Sequence, residues 1–214
     1  GRPLSPSSRL GTAGAWGGEY PGRSPTVKDA ALVRLPPCHG VAYIVPGQCM
    51  PPPLVLLSDL LAPERVRVPL RSRSKAELLR ELVELAVGDR GASVVDAVLD
   101  GVRAREAVLT TGIGEGVAIP HGRSAELDSL TLAAGICGHP VDFDALDGRP
   151  VELCFLLGGP ESAAGAHVRA LGRISRVLRD DRLRAALRAS RTAEEFLTVV
   201  REAESAGAAP GTAR

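Results

Sequence analysis

The sequence predicts an α/β domain whose mixed β-sheet is flanked by helices on both faces. Strand-like apolar runs alternate with amphipathic helical segments between residues 54 and 203, which is typical of layered α/β domains. The run at 151–157 is almost entirely apolar, as in a central strand that is buried on both faces. The chain of 214 residues is also long enough to bury a core without disulfides or a structural metal.

The first predicted elements are a strand and two helices. Residues 66–70 form the strand. A helix begins at Ser74, because Ser-x-x-Glu is the pattern of a capping box in which each side chain satisfies an unpaired amide. Leucine and valine residues at helical spacing come after it, and Gly88 ends the helix. Ser93 is expected to cap a second helix that runs to about Ala104.

The remaining elements alternate in the same way. Residues 130–136 and 151–157 are predicted strands, because both runs are short and apolar. Apolar residues at helical spacing predict a third helix from about 164 to 179 and a shorter one from 182 to 189. The Thr-x-x-Glu pattern at Thr192 is a second capping box, and it predicts the start of a last helix.

The two ends of the chain differ in composition from this domain. Residues 1–53 contain eight Gly and ten Pro, which favours a flexible or disordered extension. Residues 204–214 are rich in Ala and Gly and are predicted to form a flexible tail. The predicted organisation is therefore an extension at 1–53, a single domain at 54–203 and a tail at 204–214.

Charge and composition argue against several classes of partner. The chain has 26 basic and 25 acidic side chains, a balance that does not favour binding to a nucleic-acid backbone. Aromatic residues make up 3% of the sequence, too few for the stacking platforms that bind single strands. No apolar run approaches the roughly 20 residues that span a bilayer, and no basic-then-apolar targeting segment opens the sequence. The four cysteines lack metal-ligand spacing, so we expect a reduced, cytoplasmic protein without direct membrane insertion.

The segment at residues 105–123 is unlike the rest of the domain. Its sequence, REAVLTTGIGEGVAIPHGR, has glycines at alternate positions, which can let backbone amides converge on an anion. It lacks the Gly-Lys-Ser/Thr end of a Walker loop, and Val117 stands where the dinucleotide fingerprint needs its third glycine. A nucleotide-binding module is therefore disfavoured. On the glycine pattern alone, a tight turn between two elements remains the alternative.

His121 makes phosphoryl chemistry the preferred interpretation of this segment. Pro120 restricts the backbone before the histidine and Gly122 permits close approach after it, so the ring is expected at the rim of a strand end. A neutral imidazole is a nucleophile near pH 7, and a phosphohistidine needs donors such as an arginine or loop amides. No carboxylate or amide set around His121 could hold Mg²⁺, so neither a metal nor a cofactor is expected. A purely structural histidine is the alternative.

The pattern RE-x-x-x-x-TGIGEGVAIPHG resembles the signature of the type 2 enzyme IIA domain of the bacterial phosphotransferase system, which is the fructose, mannitol and nitrogen-regulatory family. LSDLLAPERV and SKAELLRELVELA, within 57–86, resemble the opening of that family's domain. PVDFDALDGRPVELCFLL at 140–157 resembles its central strand pair, and AHVRALGRISRVLRD at 166–180 resembles the helix with its second histidine. The resemblance covers about residues 54–203 and implies the same fold.

The resemblance implies a role for each residue that matches the signature or the helix with the second histidine. His121 corresponds to the phosphorylated histidine, and His167 to a second histidine that helps to hold the phosphoryl group. Without the resemblance, His167 would be interpreted as a surface histidine on a helix. Arg105 corresponds to an arginine that neutralises phosphate charge. The loop expected to support the phosphate from beneath comprises Thr111, Gly112, Gly114 and Gly116.

Two functions are compatible with these roles. In the first, the chain is a phosphotransferase with a phosphohistidine intermediate. It accepts the group from the phosphocarrier protein HPr, or a nitrogen-branch analogue, and passes it to a cysteine of a separate enzyme IIB. In the second, the chain is a nitrogen-related regulatory protein, and phosphorylation of His121 switches its binding to partner proteins without sugar transfer. The stretches DFDALDGRPV and ALGRISRVLRD weakly favour the nitrogen-like or stand-alone branch.

Overall fold

The computed structural model describes residues 55–207, and these residues form a single domain around one six-stranded sheet. The predicted extension at 1–53 lies outside the described residues, as do residues 208–214 of the predicted tail. Within the described part of the chain, no helix is both long enough and apolar enough to cross a bilayer.

The strands are β1 (Val66–Leu70), β2 (Gly112–Gly114), β3 (Val117–Ala118), β4 (His121–Arg123), β5 (Thr131–Val141) and β6 (Val151–Gly159). Their order in the sheet is β1-β5-β6-β3-β2, and β4 pairs with β6 beyond the end of β3. β6 is antiparallel to β5 and parallel to β3 and β4. β1 runs parallel to β5, so the sheet is mixed, as predicted.

The helices are α1 (Leu57–Leu60), α2 (Lys75–Val87), α3 (Ala92–Val108), α4 (Ala164–Val177), α5 (Asp181–Ala189) and α6 (Ala193–Gly207). The side chains of α2 and α3 belong to one apolar cluster, and those of α1, α4, α5 and α6 belong to another. The two clusters lie on opposite faces of the sheet, which confirms the predicted arrangement of helices on both faces.

β6 is the central strand because both of its faces are buried. Cys154 and Leu156 belong to the cluster under α2 and α3, whereas Leu153, Phe155 and Leu157 belong to the cluster under the other helices. Successive side chains of a strand point to opposite faces, so a strand covered on both sides must be apolar throughout. This requirement explains the uninterrupted apolar run from which the strand was predicted.

Two predicted helix boundaries differ from the structure at α3. Ser93 does not cap the helix: Gly91, at φ 95°, occupies the cap position, and no side chain bonds the first-turn amides. The connection Gly88–Gly91 turns directly into the helix, which leaves Ser93 inside the first turn. The helix also continues past Ala104 to Val108, and this extension places Arg105 on its last turn.

The last helix extends through residues 204–207, which were predicted to belong to the flexible tail. Glu204 is 5% exposed, and its carboxylate accepts hydrogen bonds from the Leu57 and Ser58 amides at 2.7 and 3.0 Å. Arg173 Nε also donates to Glu204, at 2.6 Å. The carboxylate thus joins α1 and α4 to the end of α6, and these contacts stabilise helical structure where composition alone favours flexibility.

Candidate functional site

The backbones of α3 and β4 touch, and this contact brings Arg105 and His121 together. A Cβ atom added to Gly122 would lie 2.6 Å from the Val102 amide nitrogen, and one added to Gly101 would collide with the Arg123 carbonyl oxygen. Two facing glycines therefore permit a separation that other residues would prevent. The last turn of α3 consequently carries Arg105 to the ring of His121.

Hydrogen bonds determine which nitrogen of His121 carries the proton. Nδ1 lies 2.8 Å from the Ile119 carbonyl oxygen, which can only accept, so Nδ1 donates. Arg105 Nε donates to Nε2 of the ring across 3.1 Å. Both contacts require the neutral tautomer with hydrogen on Nδ1, and they leave a lone pair on Nε2. Nε2 is therefore the nucleophilic atom of this ring.

Burial lowers the pKa of His121 below its ordinary value of 6.5, and the nearby positive charge of Arg105 lowers it further. The hydrogen bond to the Ile119 carbonyl and the charge of Glu106 act in the opposite direction. The net shift favours the unprotonated ring at neutral pH. Nε2 is consequently available for nucleophilic attack under those conditions.

Arg105 and Glu106 are adjacent in sequence but face different surroundings. Arg105 Nη1 donates to the Leu109 carbonyl oxygen at 2.9 Å, which orients the guanidinium beside the histidine. Glu106 is 9% exposed; it accepts hydrogen bonds from the amide and hydroxyl of Thr111 and pairs with Lys75 at 2.9 Å. Glu106 thereby ties the end of α3 to the following loop and to α2, and this connection supports the position of Arg105.

His167 on α4 faces His121, with the two ring centroids 5.9 Å apart. It is 6% exposed, and no group among the described residues forms a hydrogen bond with its buried Nδ1. Burial lowers the pKa of His167 to about 4, with smaller contributions from His121 and from the charge of Arg123. The second histidine is therefore also neutral at pH 7, so it adds no positive charge next to His121.

A cleft of about 600 Å³ opens over these groups, between α3 and α4. Its walls include Arg105, His121 and His167. Arg123 and Glu161 line the same cleft and form an ion pair at 2.7 Å. Three of the sequence-predicted site residues thus surround one solvent-accessible space, with a second arginine at its edge.

The glycine loop does not line this cleft. Gly112 and Gly114 belong to β2, and Glu115 and Gly116 form the tight turn into β3 with φ values of 54° and 70°. Val117, directly after the turn, pairs with Leu153 of β6, whereas His121 pairs with Leu157. The two pairing positions are four residues apart on β6, so roughly 13 Å separates the turn from the histidine.

Several polar groups of this loop have partners within the domain. The Glu115 amide donates to Asp147 at 2.8 Å, and the Gly112 amide donates to the Thr110 hydroxyl at 3.1 Å. The Thr111 hydroxyl donates to Glu106. Residues 115–116 thus form a tight turn, and Thr111, Gly112, Gly114 and Gly116 do not line the cleft. That this loop supports the phosphoryl group from beneath stays a prediction.

Some residues that shape the site have only weak signals in the sequence. Glu106 is adjacent to Arg105 and could have been considered with it, but nothing local indicates its contact with Lys75. Gly101 lies within a helical pattern, where a glycine costs stability and therefore suggests a packing reason.

Among the remaining histidines, His139 is exposed and lies 3.3 Å from Arg73, away from the cleft, whereas His39 is outside the described residues. The described residues contain no cluster of three or more metal-ligating side chains.

Comparison with known proteins identifies relatives of this domain. The model of the family described as "Phosphoenolpyruvate-dependent sugar phosphotransferase system, EIIA 2" matches residues 59–203. A nitrogen regulatory protein of Bradyrhizobium diazoefficiens is 40% identical over 144 residues, which cover 67% of this chain and 94% of that protein. The fructose-specific EIIABC component of Bacillus subtilis is 29% identical over 148 residues, covering 68% of this chain and 23% of that protein.

A solved structure of a nitrogen regulatory protein is also similar to this domain. The crystal structure of the nitrogen regulatory protein IIA-Ntr from Neisseria meningitidis superimposes with a TM-score of 0.62 and 32% sequence identity. The match covers 67% of this chain and 98% of that one. Together with the family model, these similarities show that the chain belongs to the EIIA 2 family of the phosphoenolpyruvate-dependent sugar phosphotransferase system.

Proposed function

We propose that this chain accepts a phosphoryl group on Nε2 of His121 from HPr or a nitrogen-branch analogue and transfers it to a cysteine of an enzyme IIB. The observation that supports this most directly is the pair of contacts on the His121 ring. The Ile119 carbonyl holds hydrogen on Nδ1, and Arg105 Nε donates to the unprotonated Nε2 across 3.1 Å. A nucleophile with a cation beside it suits a group that arrives with negative charge.

The transfer step requires no group beyond the two proteins. The Nε2 lone pair forms a bond to phosphorus while the bond between phosphorus and the donor's imidazole nitrogen breaks, and its electron pair remains on the donor. His121 keeps its Nδ1 proton, so positive charge develops on the ring, and the Ile119 carbonyl stabilises that charge. In the next step a cysteine thiolate attacks phosphorus, and the N–P electron pair returns to Nε2.

Arg105 and His167 have complementary parts in this proposal. A phosphoryl group on His121 adds about −2 charge, and the planar guanidinium of Arg105 can bond two of its oxygens. His167 lies on the opposite wall of the cleft, 5.9 Å from His121 between ring centroids. Negative charge beside a neutral imidazole favours protonation. His167 consequently becomes a better hydrogen-bond donor after the phosphoryl group arrives.

A second candidate function is regulation through the phosphorylation state of His121, without sugar transfer. It is favoured by the relatives named nitrogen regulatory proteins, one of which is 40% identical to this chain. The fructose-specific relative is 29% identical. Both candidates require the same phosphorylated nitrogen, and they differ only in the fate of the phosphoryl group.

The test shared by both candidates is phosphorylation by phosphoenolpyruvate, enzyme I and HPr, with ³¹P NMR of the product. The expected product is an acid-labile, base-stable phosphohistidine with phosphorus on Nε2. His121→Ala should abolish it, and His139→Ala, which alters an exposed histidine away from the cleft, should not. An unlabelled wild-type protein, or full labelling of His121→Ala, would refute both candidates.

Incubation of the phosphorylated protein with enzyme IIB separates the two candidates. Movement of the label to an IIB cysteine supports the relay. Retention of the label, together with a change in binding to a partner protein, supports regulation.

A further inference from the structure

We propose that Arg123 is a second phosphoryl-binding arginine, which leaves Glu161 and binds the phosphoryl oxygens when His121 is phosphorylated. This inference depends on the proposed phosphorylation of His121. Arg123 would then bind the phosphoryl group in addition to Arg105 and His167. It also provides a direct physical link between the phosphorylation state and the surface charge of the cleft.

The position of Arg123 on β4 permits this contact. Arg123 lies two residues after His121 in the same strand, so both side chains project from the same face. Their Cα atoms are roughly 7 Å apart at the rise of an extended strand. Both residues line the same cleft, and the long side chain of arginine can span such a separation. Arg123 also lies near enough to His167 for its charge to lower that residue's pKa.

In the unphosphorylated protein Arg123 has a different partner. Its Nη1 lies 2.7 Å from Glu161 Oε2, and the two side chains are 45% and 68% exposed. Exposed ion pairs contribute little to stability, because water already solvates both charges well. A phosphoryl dianion carries about twice the charge of one carboxylate, and its oxygens match the guanidinium fork. The new pair is therefore expected to replace the existing one.

The exchange has a consequence outside the site. Glu161 begins the short 3₁₀ turn Glu161–Ala163, which leads directly into α4, the helix that carries His167. When Arg123 moves to the phosphoryl group, Glu161 becomes an unpaired carboxylate at the rim of the cleft. A partner protein that contacts this rim would then encounter different charges before and after phosphorylation.

The test compares Arg123→Gln with Arg103→Gln. Arg103 is a matched control, because it is an exposed arginine of α3 whose 4.0 Å ion pair with Asp100 resembles the Arg123 pair in exposure. Each variant is equilibrated with phosphorylated HPr, and the equilibrium constant for transfer is obtained from the fraction of label on each protein. Loss of a charge-assisted contact to the phosphoryl group should lower this constant about tenfold for Arg123→Gln. Arg103→Gln should match the wild type.

Glu161→Gln tests the exchange itself. Removing the competing carboxylate should raise the equilibrium constant about two- to fivefold. The double variant Arg123→Gln/Glu161→Gln should behave as Arg123→Gln alone, because Glu161 is expected to act only through Arg123. If the ion pair had only a structural role, Arg123→Gln and Glu161→Gln would each lower the thermal midpoint of unfolding. Neither variant would then change the equilibrium constant for transfer.

The outcomes distinguish this inference from the proposed function. If wild-type His121 accepts no label, the proposed function fails and this inference fails with it. If the wild type is labelled but Arg123→Gln reaches the same equilibrium, only the role of Arg123 is refuted. A decrease in the constant for Glu161→Gln would refute the exchange between Glu161 and the phosphoryl group.

Discussion

His121 and His167 have facing rings, yet their surroundings give them different chemistry. His121 is half-buried, and both of its nitrogens have hydrogen-bonding partners that hold one tautomer. His167 is buried, and its Nδ1 has no hydrogen-bonding partner among the described residues. The first ring therefore presents an oriented lone pair, whereas the second has the capacity to gain a proton when a negative charge enters the cleft.

The low pKa of His167 predicts a loss of stability in mild acid. Its pKa is about 4 in the folded domain and 6.5 ordinarily, so the unfolded chain binds the proton more readily between these values. The free energy of unfolding should fall as pH decreases through this window. Between pH 7 and pH 5 the contribution of this residue is about 2 kcal/mol. Urea denaturation at a series of pH values measures it.

His167→Gln is the control for this prediction, because glutamine does not titrate in the window. The slope of unfolding free energy against pH should be smaller in the variant. The slope that the variant keeps includes the contribution of His121, whose pKa is also lowered. Measurements should stay above pH 5, because paired carboxylates such as Glu81 and Glu106 have lowered pKa values and affect stability in stronger acid. Equal slopes for the two proteins would contradict the assigned pKa of His167.

The sequence predicts individual site residues to different extents. Arg105, His121 and His167 are identified together only through the resemblance to a known family, since each type of residue is common on surfaces. The structure brings all three to one cleft. Their roles in transfer remain predictions for the labelling experiments. Local sequence could not reveal that the Gly114–Gly116 turn and His121 lie at opposite ends of one sheet edge, because that separation results from their pairing with β6.

At the scale of elements, the contact between α3 and β4 is the main determinant of the site. Helices were predicted from apolar periodicity, and the capping box at Ser74 is present as predicted. The predicted boundaries of α3 are wrong, because a pattern of residue types does not show that Gly91 takes the cap position. The pattern also does not reveal why a glycine stands at position 101. The reason is the Arg123 carbonyl oxygen, which is 22 residues away in the chain and adjacent in space.

A pair of glycine substitutions tests this contact. Gly101→Ala places a methyl group against the Arg123 carbonyl, so α3 must move away from β4. We expect a loss of about 1–3 kcal/mol of unfolding free energy, as for other overpacked contacts. Phosphorylation of His121 should slow as well, because Arg105 moves with the helix. Denaturant melts and the rate of labelling by phosphorylated HPr measure these two effects.

Gly172→Ala is the matched control, because Gly172 is also within a helix but has no atom within 4 Å of the added Cβ. There the substitution should raise stability by about 0.5–1 kcal/mol through helix propensity alone. If both variants were stabilised equally, the close approach of α3 and β4 would be ruled out as the reason for Gly101.

At the scale of the whole domain, the described residues expose five large apolar side chains, and three of them come shortly after Arg105 or His167 in the chain. Val108 and Leu109 come after Arg105 at the end of α3, and Val168 comes after His167 in the wall of the cleft. The other two, Ile113 and Leu146, do not line the cleft. We call Val108, Leu109 and Val168, which follow the site residues Arg105 and His167, the apolar rim. Exposed apolar clusters commonly mark surfaces that bind other proteins.

The proposed function predicts that a protein donor covers the apolar rim whenever it reaches Nε2 of His121. Val108→Ser combined with Val168→Ser should therefore weaken binding of phosphorylated HPr, and KM for transfer should rise about tenfold while kcat changes little. Both side chains are largely exposed, at 81% and 68%, so the stability of the domain should be unaffected.

A small phosphoryl donor provides the control, because it can enter the cleft without contacting the rim. With phosphoramidate, the double variant and the wild type should be labelled at the same rate. A rate that fell equally with both donors would show that these valines act on the reacting groups and not on docking. A loss confined to the protein donor would instead separate recognition from chemistry, with recognition at the rim and chemistry at His121.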